Sequence, residues 1–130
     1  MPIGVATIYK AMFNSNKKII GAFYEKKAEK FLIKNGLKLI TRNYRCRLGE
    51  IDLIMMQALT LVFVEVRSRQ NSNFGHALET VNINKQRKII NTALLFIQQH
   101  PDIYYQAIRF DVIGIKTKIR WIENAFTINN

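Results

Sequence analysis

The chain has very little cysteine and histidine. Its 130 residues include one cysteine, Cys46, and two histidines, His76 and His100. A single cysteine forms no intrachain disulfide, which is typical of a reducing compartment, and we expect a cytoplasmic location. One cysteine and two distant histidines also exclude a zinc cluster of recognisable spacing.

Long apolar runs are absent too, although 48% of the residues are hydrophobic. No run approaches the roughly 20 residues that span a bilayer. The apolar stretch from Ile3 to Phe13 is interrupted by Lys10, and no basic segment precedes it, so we predict no signal peptide. The hydrophobic content is sufficient for the core of one domain of ordinary size.

Acidic side chains are scarce. Nine Asp and Glu residues face 20 Lys and Arg residues, which gives a formal net charge of +11. Such an excess predicts a polyanionic partner, which is DNA, RNA or an anionic membrane surface. We expect DNA and no membrane, because the basic amphipathic segment 21–35 should place its apolar face in the core. A basic protein without a special partner is the alternative.

Hydrophobic periodicity predicts a helix, three strands, a second helix and one or two further strands. Residues 1–18 lack a clean period and are expected to form a flexible N-terminal arm, and residues 19–130 a single domain. The predicted elements are a helix from Gly21 to a stop at Asn35-Gly36, strands 37–46, 50–56 and 60–68, a loop 69–82, a helix 83–99, and strands 106–115 and 119–123. This order predicts an α/β domain with a mixed sheet flanked by helices.

Three of the nine carboxylates fall inside apolar strand patterns. The run GEIDLI carries Glu50 and Asp52, and LVFVEVRSR carries Glu65, with Arg67 two residues later. An ionised carboxylate that leaves water costs several kcal/mol unless a partner compensates it, on the order of the penalty for unpaired buried ions. An arginine or a metal ion could be that partner.

Asp52 and Glu65 converge if the second and third strands pair as a hairpin. Carboxylates a few ångströms apart raise each other's pKa, and Mg²⁺ or Mn²⁺ relieves their repulsion. A metal in that position can activate water and neutralise charge on a phosphodiester. The alternative is a satisfied ion pair at a sheet edge, formed by Glu65 with Arg67 or by Asp52 with a nearby arginine. Spacing alone leaves both interpretations open.

The segments GEIDLI, LVFVEVRSR and RFDVIGI, with the helix start from Gly21 to Glu25, closely resemble the YraN family of small bacterial proteins. The resemblance covers about residues 20–126. That family looks like a member of the restriction-endonuclease-like superfamily, with its PD-(D/E)xK motif, and is similar to archaeal Holliday-junction resolvases. The resemblance implies a restriction-endonuclease-like fold, a Mg²⁺- or Mn²⁺-dependent endonuclease acting on DNA, in particular branched or structured DNA, and a homodimer.

The resemblance also implies roles for single residues. Asp52 and Glu65 match the two acidic metal ligands, and Glu25 matches an acid on the first helix that often completes such sites. Glu50 matches the glutamate two residues before the aspartate, a ligand or water-positioning group. Arg67 stands where the motif has lysine; arginine can clamp a phosphate but is a poor proton donor or acceptor. A non-catalytic nucleic-acid-binding module with a degenerate site is therefore the alternative.

Seven basic residues are candidates for nucleic-acid contacts. Lys85, Arg87 and Lys88 crowd the start of the second helix, where cations oppose the helix dipole but suit a docked phosphate backbone. Simple solvation of the helix start is the alternative. The other candidates flank the proposed site: Arg42, Arg45, Arg47 and Arg69.

Two further side chains have weaker chemical signals. Asp111 lies in an apolar strand and is expected to form a structural pair with Arg109 or another basic neighbour. His76 lies in a polar loop near the site and is a minor candidate for a catalytic base.

Overall fold

The computed structural model describes residues 4–68 and 81–128. Over these ranges the chain forms seven elements: α1 (Val5–Lys34), β1 (Lys38–Cys46), β2 (Gly49–Gln57), β3 (Thr60–Ser68), α2 (Ile83–Gln99), β4 (Ala107–Ile115) and β5 (Ile119–Phe126). The strand and second-helix predictions agree closely with these bounds, except that β5 extends to Phe126. Most of the predicted loop 69–82 lies outside the described residues.

The five strands form one mixed sheet in the order β1-β2-β3-β4-β5. β1 pairs with β2, β2 with β3 and β4 with β5 in antiparallel fashion, whereas β3 and β4 are parallel. Parallel neighbours need a crossover connection, and α2 lies in that connection. The α/β class with a mixed sheet flanked by helices is therefore confirmed, and the arrangement is consistent with a restriction-endonuclease-like fold.

The two helices cover opposite faces of the sheet, and β3 contributes to both cores. Leu61 and Phe63 pack on the α2 side, whereas Val62 and Val64 pack on the α1 side. Side chains alternate across a strand, so this run of apolar residues is what a strand buried on both faces requires. β3 is thereby held rigidly in the middle of the sheet, and its last residues carry Glu65 and Arg67.

α1 is much longer than the helix predicted from Gly21, because it begins at Val5. The predicted start was wrong, and the segment expected to be an arm is helical from Val5 onward. Residues 4–20 are exposed on every side of the helix, so this half extends beyond the domain body. The helix ends where predicted, since Gly36 has a positive φ of 95° and its N–H donates to Ile33 O.

The flexibility of the N-terminal segment and the division of the chain at residue 18 stay predictions. Neither α1 nor α2, the helices of the described ranges, has the length and apolar character needed to cross a membrane.

Candidate active site

The sheet is irregular where the candidate site lies. In a regular strand Ile51 and Leu53 would share a face, but Ile51 packs on the α2 side and Leu53 on the α1 side. Across from this point on β1, Asn43 has a positive φ of 53°. Both strands are therefore irregular at the same level of the sheet, and Asp52 lies at this irregularity.

Asp52 occupies the point where β2 and β3 separate. Regular pairing of these strands reaches only to Leu53 and Val64. One residue further along, the Oδ2 atom of Asp52 accepts a hydrogen bond of 2.8 Å from the backbone N–H of Val66. The carboxyl thus takes the place of a backbone acceptor and is held beside Glu65, as the predicted hairpin requires.

Four carboxyls interact at this point. Burial, followed by the charge of Asp52 and a hydrogen bond with it, raises the pKa of Glu25 to about 7. Burial, followed by the charge of Asp52, raises the pKa of Glu65 to about 7, and burial raises the pKa of Asp52 as well. The charge of Glu50 acts in the same direction on all three. The four acids predicted for the site are therefore brought together.

Two cations approach the Glu65 carboxyl. Arg67 Nε lies 3.5 Å from Oε1 of Glu65, and Lys85 Nζ lies 3.9 Å from the same oxygen. The predicted Glu65–Arg67 ion pair is thus present, but it is too weak to offset burial, since the pKa of Glu65 remains raised. The Nε atom of Arg67 is buried and has no hydrogen-bond acceptor within the described residues.

The donor set of the site consists of carboxyl oxygens, which Mg²⁺ and Mn²⁺ prefer. Within residues 4–68 and 81–128, no three His, Cys, Asp or Glu side chains are grouped closely enough to enclose a metal ion. Mg²⁺ is usually held by one or two carboxylates and keeps several waters. Asp52 and Glu65 therefore fit an open site of that kind, and they do not fit a closed cage.

Two of the predicted DNA-contacting arginines already pair with acids of this chain. Arg42 donates from Nε and Nη2 to the two carboxyl oxygens of Glu29, at 2.7 and 3.2 Å. This bond to Arg42 lowers the pKa of Glu29. Arg45 Nε lies 3.2 Å from Oε2 of Glu50, and both side chains are more than half exposed. Each arginine thereby orients or screens an acid near the site.

The remaining predicted basic residues are placed differently. Lys85 belongs to the site, because it approaches Glu65. Arg47, Arg87 and Lys88 are exposed. Arg69, like His76, lies outside the described residues.

Glu29 is a residue of this region that the sequence patterns did not single out. It is 5% exposed and, with Glu25, lines a cavity of about 260 Å³ whose other lining residues include Arg42, Asn43 and Leu53. Its spacing of four residues from Glu25 places both acids on one face of α1, which is the sequence signal that could have identified it.

Gly49 lets β2 approach α2 next to the site. Its φ is +150°, and a Cβ atom added there would lie 2.9 Å from Oγ1 of Thr92. Thr92 is fully buried and donates its hydroxyl to Lys88 O. The glycine at the start of GEIDLI is thus needed for close packing of strand and helix.

Asp111 is a structural residue, as predicted. It is fully buried and accepts from Arg109 Nε and Nη2, from Trp121 Nε1 and from the backbone N–H of Asn124, each at 2.9 Å. The bonds from Trp121 and Asn124 join β4 to β5, and the two from Arg109 pair neighbouring residues of β4. Asp111 therefore has no part in the candidate site.

Comparison with known proteins gives the family. A family model described as "Uncharacterised protein family UPF0102" matches residues 24–115. The chain belongs to this family. The resemblance to the YraN family is thereby confirmed, because UPF0102 is that family. The range matched to UPF0102 contains all four carboxyls of the site and begins after Phe23.

Relatives within UPF0102 are similar over most of their length. A UPF0102 protein of Alcanivorax borkumensis is 44% identical over 85% of this chain and 94% of its own. Those of Psychromonas ingrahamii and Coxiella burnetii are 49% and 45% identical, over 86% and 90% of this chain and 91% and 98% of theirs.

One solved structure is also similar, described as "The structure of Pyrococcus Furiosus SfsA in complex with Ca2+". The TM-score is 0.32 at 14% sequence identity, over 82% of this chain. The chain spans 63% of the length of that protein.

Proposed function

We propose that this UPF0102 protein is an endonuclease that requires Mg²⁺ or Mn²⁺ and cleaves phosphodiesters of branched or structured DNA. The observation that carries the proposal is the convergence of Glu25, Asp52 and Glu65 at one point of a chain whose net charge is +11. Mutually repelling, buried acids are costly to keep unless a function needs them.

Asp52 and Glu65 are the residues that would hold the cation, with Glu25 supplying a further oxygen from α1. A bound divalent cation supplies Lewis acidity toward the phosphodiester and lowers the pKa of water. The Val66 N–H fixes the carboxyl of Asp52 in place. Glu25, with a pKa of about 7, can accept or release a proton near neutral pH. Glu50 would orient water.

Arg67 would contact the phosphate. Its Nε–H is buried and lacks an acceptor among the described residues, so it is ready to donate to an oxygen that a substrate brings. Arginine is a poor proton donor or acceptor, so proton transfer falls to the carboxyls.

A second candidate function is DNA binding without cleavage. It is supported by the surroundings of Glu65, because Arg67 and Lys85 both approach its Oε1 atom, a candidate metal ligand. In that case the cations replace the metal and the fold serves as a nucleic-acid-binding module.

Calorimetric titration with Mn²⁺ at pH 8, combined with cleavage assays on duplex, single-stranded and branched DNA, separates the two. We compare the wild type with Asp52→Asn, which keeps an acceptor for Val66 N–H but removes the charge. Asp102→Asn, at an exposed position after α2, is the matched control.

We expect the wild type and Asp102→Asn to bind Mn²⁺ and cleave DNA, and Asp52→Asn to do neither while still binding DNA. DNA binding by the wild type without Mn²⁺ binding or cleavage would establish the binding module instead. Absence of DNA binding would reject both candidates.

A further inference from the structure

The exposed half of α1 carries an apolar surface of its own, which we call the outer stripe. Its eight side chains are each between 45% and 67% exposed: Val5, Ile8, Tyr9, Met12, Phe13, Ile19, Ile20 and Phe23. None belongs to the buried core clusters of the described domain. The stripe is independent of the candidate active site.

The outer stripe faces away from the sheet. Phe23 and Leu32 are nine residues apart, which corresponds to a rotation of about 180° around a helix. Leu32 is fully buried against the sheet, whereas Phe23 is 62% exposed. The part of the domain that the structure describes therefore does not cover the stripe.

The outer stripe has the spacing of a coiled coil. Val5, Tyr9, Met12, Asn16, Ile19 and Phe23 follow one another at alternating intervals of four and three residues, which are the a and d positions of a heptad repeat. The one polar residue in this series, Asn16, falls at an a position. A single asparagine at a is the residue that fixes register and oligomer state in two-stranded coiled coils.

The surface is large enough to form a stable interface. Taking about 200 Å² for a whole side chain, the middle of the range for aromatic residues, the eight exposed fractions give an upper estimate of roughly 1,000 Å² per copy. Monomers rarely expose patches above about 600 Å². Two copies facing each other would bury an area in the range of about 1,200–2,000 Å² that specific interfaces use.

A helix without a partner would also be poorly stable over this segment. Residues 4–20 are exposed on all sides, and the segment contains β-branched and aromatic residues of modest helix propensity. Isolated helices shorter than about 12–15 residues are marginal in water, and most helices in proteins are stabilised by packing of their apolar face.

We propose that the outer stripe packs against the outer stripe of a second copy of this chain, as a parallel two-stranded coiled coil that ends at Phe23. In this arrangement the two Asn16 side chains hydrogen-bond to each other across the seam. The next d and a positions are Lys26 and Lys30, which are exposed. Like charges facing each other there end the seam and separate the helices where the two domain bodies begin.

Light scattering on the full chain at micromolar concentrations tests this proposal. Wild type is expected to have the mass of two chains. Met12→Glu combined with Ile19→Glu places charges at two d positions and should raise the dimer dissociation constant at least about 100-fold, because buried unpaired charges cost several kcal/mol. Asn14→Glu combined with Lys18→Glu, on the opposite side of the same helix segment, should leave the mass of two chains unchanged.

A cysteine placed at one end of the stripe tests the parallel orientation. In a Cys46→Ser background, Val5→Cys should form an interchain disulfide under mild oxidation, because parallel packing brings the two copies of residue 5 together. Asn14→Cys, outside the seam, should not. Cross-linking of Val5→Cys only with Phe23→Cys of a second, mixed-in variant would contradict the parallel arrangement.

Three results would overturn the proposal. The first is a wild-type monomer at tens of micromolar. The second is a Met12→Glu, Ile19→Glu variant that remains a dimer, since the interface would then lie elsewhere. The third is a monomer that binds vesicles of anionic lipid through the stripe, because Lys10, Lys17 and Lys18 flank it and no acid precedes Glu25.

Discussion

Individual carboxyls make the stability of this protein depend on pH in an unusual direction. Glu65 has a pKa of about 7 in the folded protein against 4.5 for an ordinary glutamate. Between these two values the folded state holds more protons than the unfolded state. The contribution of Glu65 to the free energy of unfolding therefore falls as pH rises from about 4.5 to about 7.

Glu65→Gln should remove this pH-dependent decrease in the free energy of unfolding. At pH 8 we expect the variant to be more stable than the wild type, by on the order of 1–3 kcal/mol, since one pKa unit corresponds to about 1.4 kcal/mol. At pH 4 the difference should be small, because Glu65 is mostly protonated in both states. Urea denaturation at the two pH values measures the change, with Asp102→Asn as the exposed control. A gain that is equal at both pH values would contradict the assigned direction.

A second prediction at the residue scale concerns Asp111. Asp111→Asn removes the buried negative charge that pairs with Arg109. It should lower the free energy of unfolding by about 3–5 kcal/mol. The exposed replacement Asp102→Asn should change it by less than about 0.5 kcal/mol. Equal effects of the two substitutions in denaturant titrations would mean that the network around Asp111 contributes little to stability.

Among the secondary-structure elements, strands and α2 were predictable because each has one clear hydrophobic period. α1 was not, because its apolar positions change sides at Phe23 and Tyr24: the outer stripe faces outward, and Ala28 and Leu32 face the sheet. A search for a single apolar face detects only the second part of α1, which packs on the sheet. The heptad spacing of the outer stripe, which begins at Val5, is the sequence signal that could have located the start of α1.

The candidate site was predictable in its residues and only partly in its geometry. The spacing in GEIDLI and LVFVEVRSR gave Asp52 and Glu65 at neighbouring strand positions. At Asp52 the alternation of side chains between the two faces of the sheet is interrupted. A prediction that assumes strict alternation cannot locate such an interruption. Lys85 was predicted as a phosphate contact, and its approach to Glu65 depends on how α2 packs, which local sequence does not contain.

A prediction at the element scale concerns the contact between β2 and α2. Gly49→Ala places a methyl group 2.9 Å from Oγ1 of buried Thr92 at a φ of +150°. It should lower the free energy of unfolding by about 1–3 kcal/mol, through clash and backbone strain. The matched control is Gly21→Ala inside α1, where a Cβ atom meets nothing within 4 Å.

Gly21→Ala should raise stability by about 0.5–1 kcal/mol, since alanine favours helix over glycine. Thermal unfolding of both variants checks the opposite signs. A Gly49→Ala protein that melts like the wild type would show that β2 and α2 can move apart without cost.

For the molecule as a whole, the excess of positive charge should make nucleic-acid binding strongly dependent on salt. Each phosphate contact by a lysine or arginine adds about 0.9 to the slope of log affinity against log salt for duplex DNA. Arg87→Ala combined with Lys88→Ala, at the exposed start of α2, should therefore reduce that slope by about 1–2.

Lys38→Ala is a control at the opposite end of the sheet's first hairpin, since Lys38 pairs with Met56 whereas Arg45 pairs with Glu50. It should leave the slope nearly unchanged. Fluorescence anisotropy with a labelled duplex at several salt concentrations gives both slopes. Equal reductions from the two variants would point to binding spread evenly over the surface.

α1 is one uninterrupted helix that bears the outer stripe as far as Phe23 and the site residue Glu25 two positions later. Helical phase therefore links the two: one residue inserted between Ile20 and Glu25 would turn the stripe by about 100° relative to the carboxyl cluster. In a dimer, the distance and mutual orientation of the two carboxyl clusters would be set by the rigid helix α1 and not by a flexible linker. Two incisions in a symmetric DNA substrate would then fall at a spacing set by the backbone of α1.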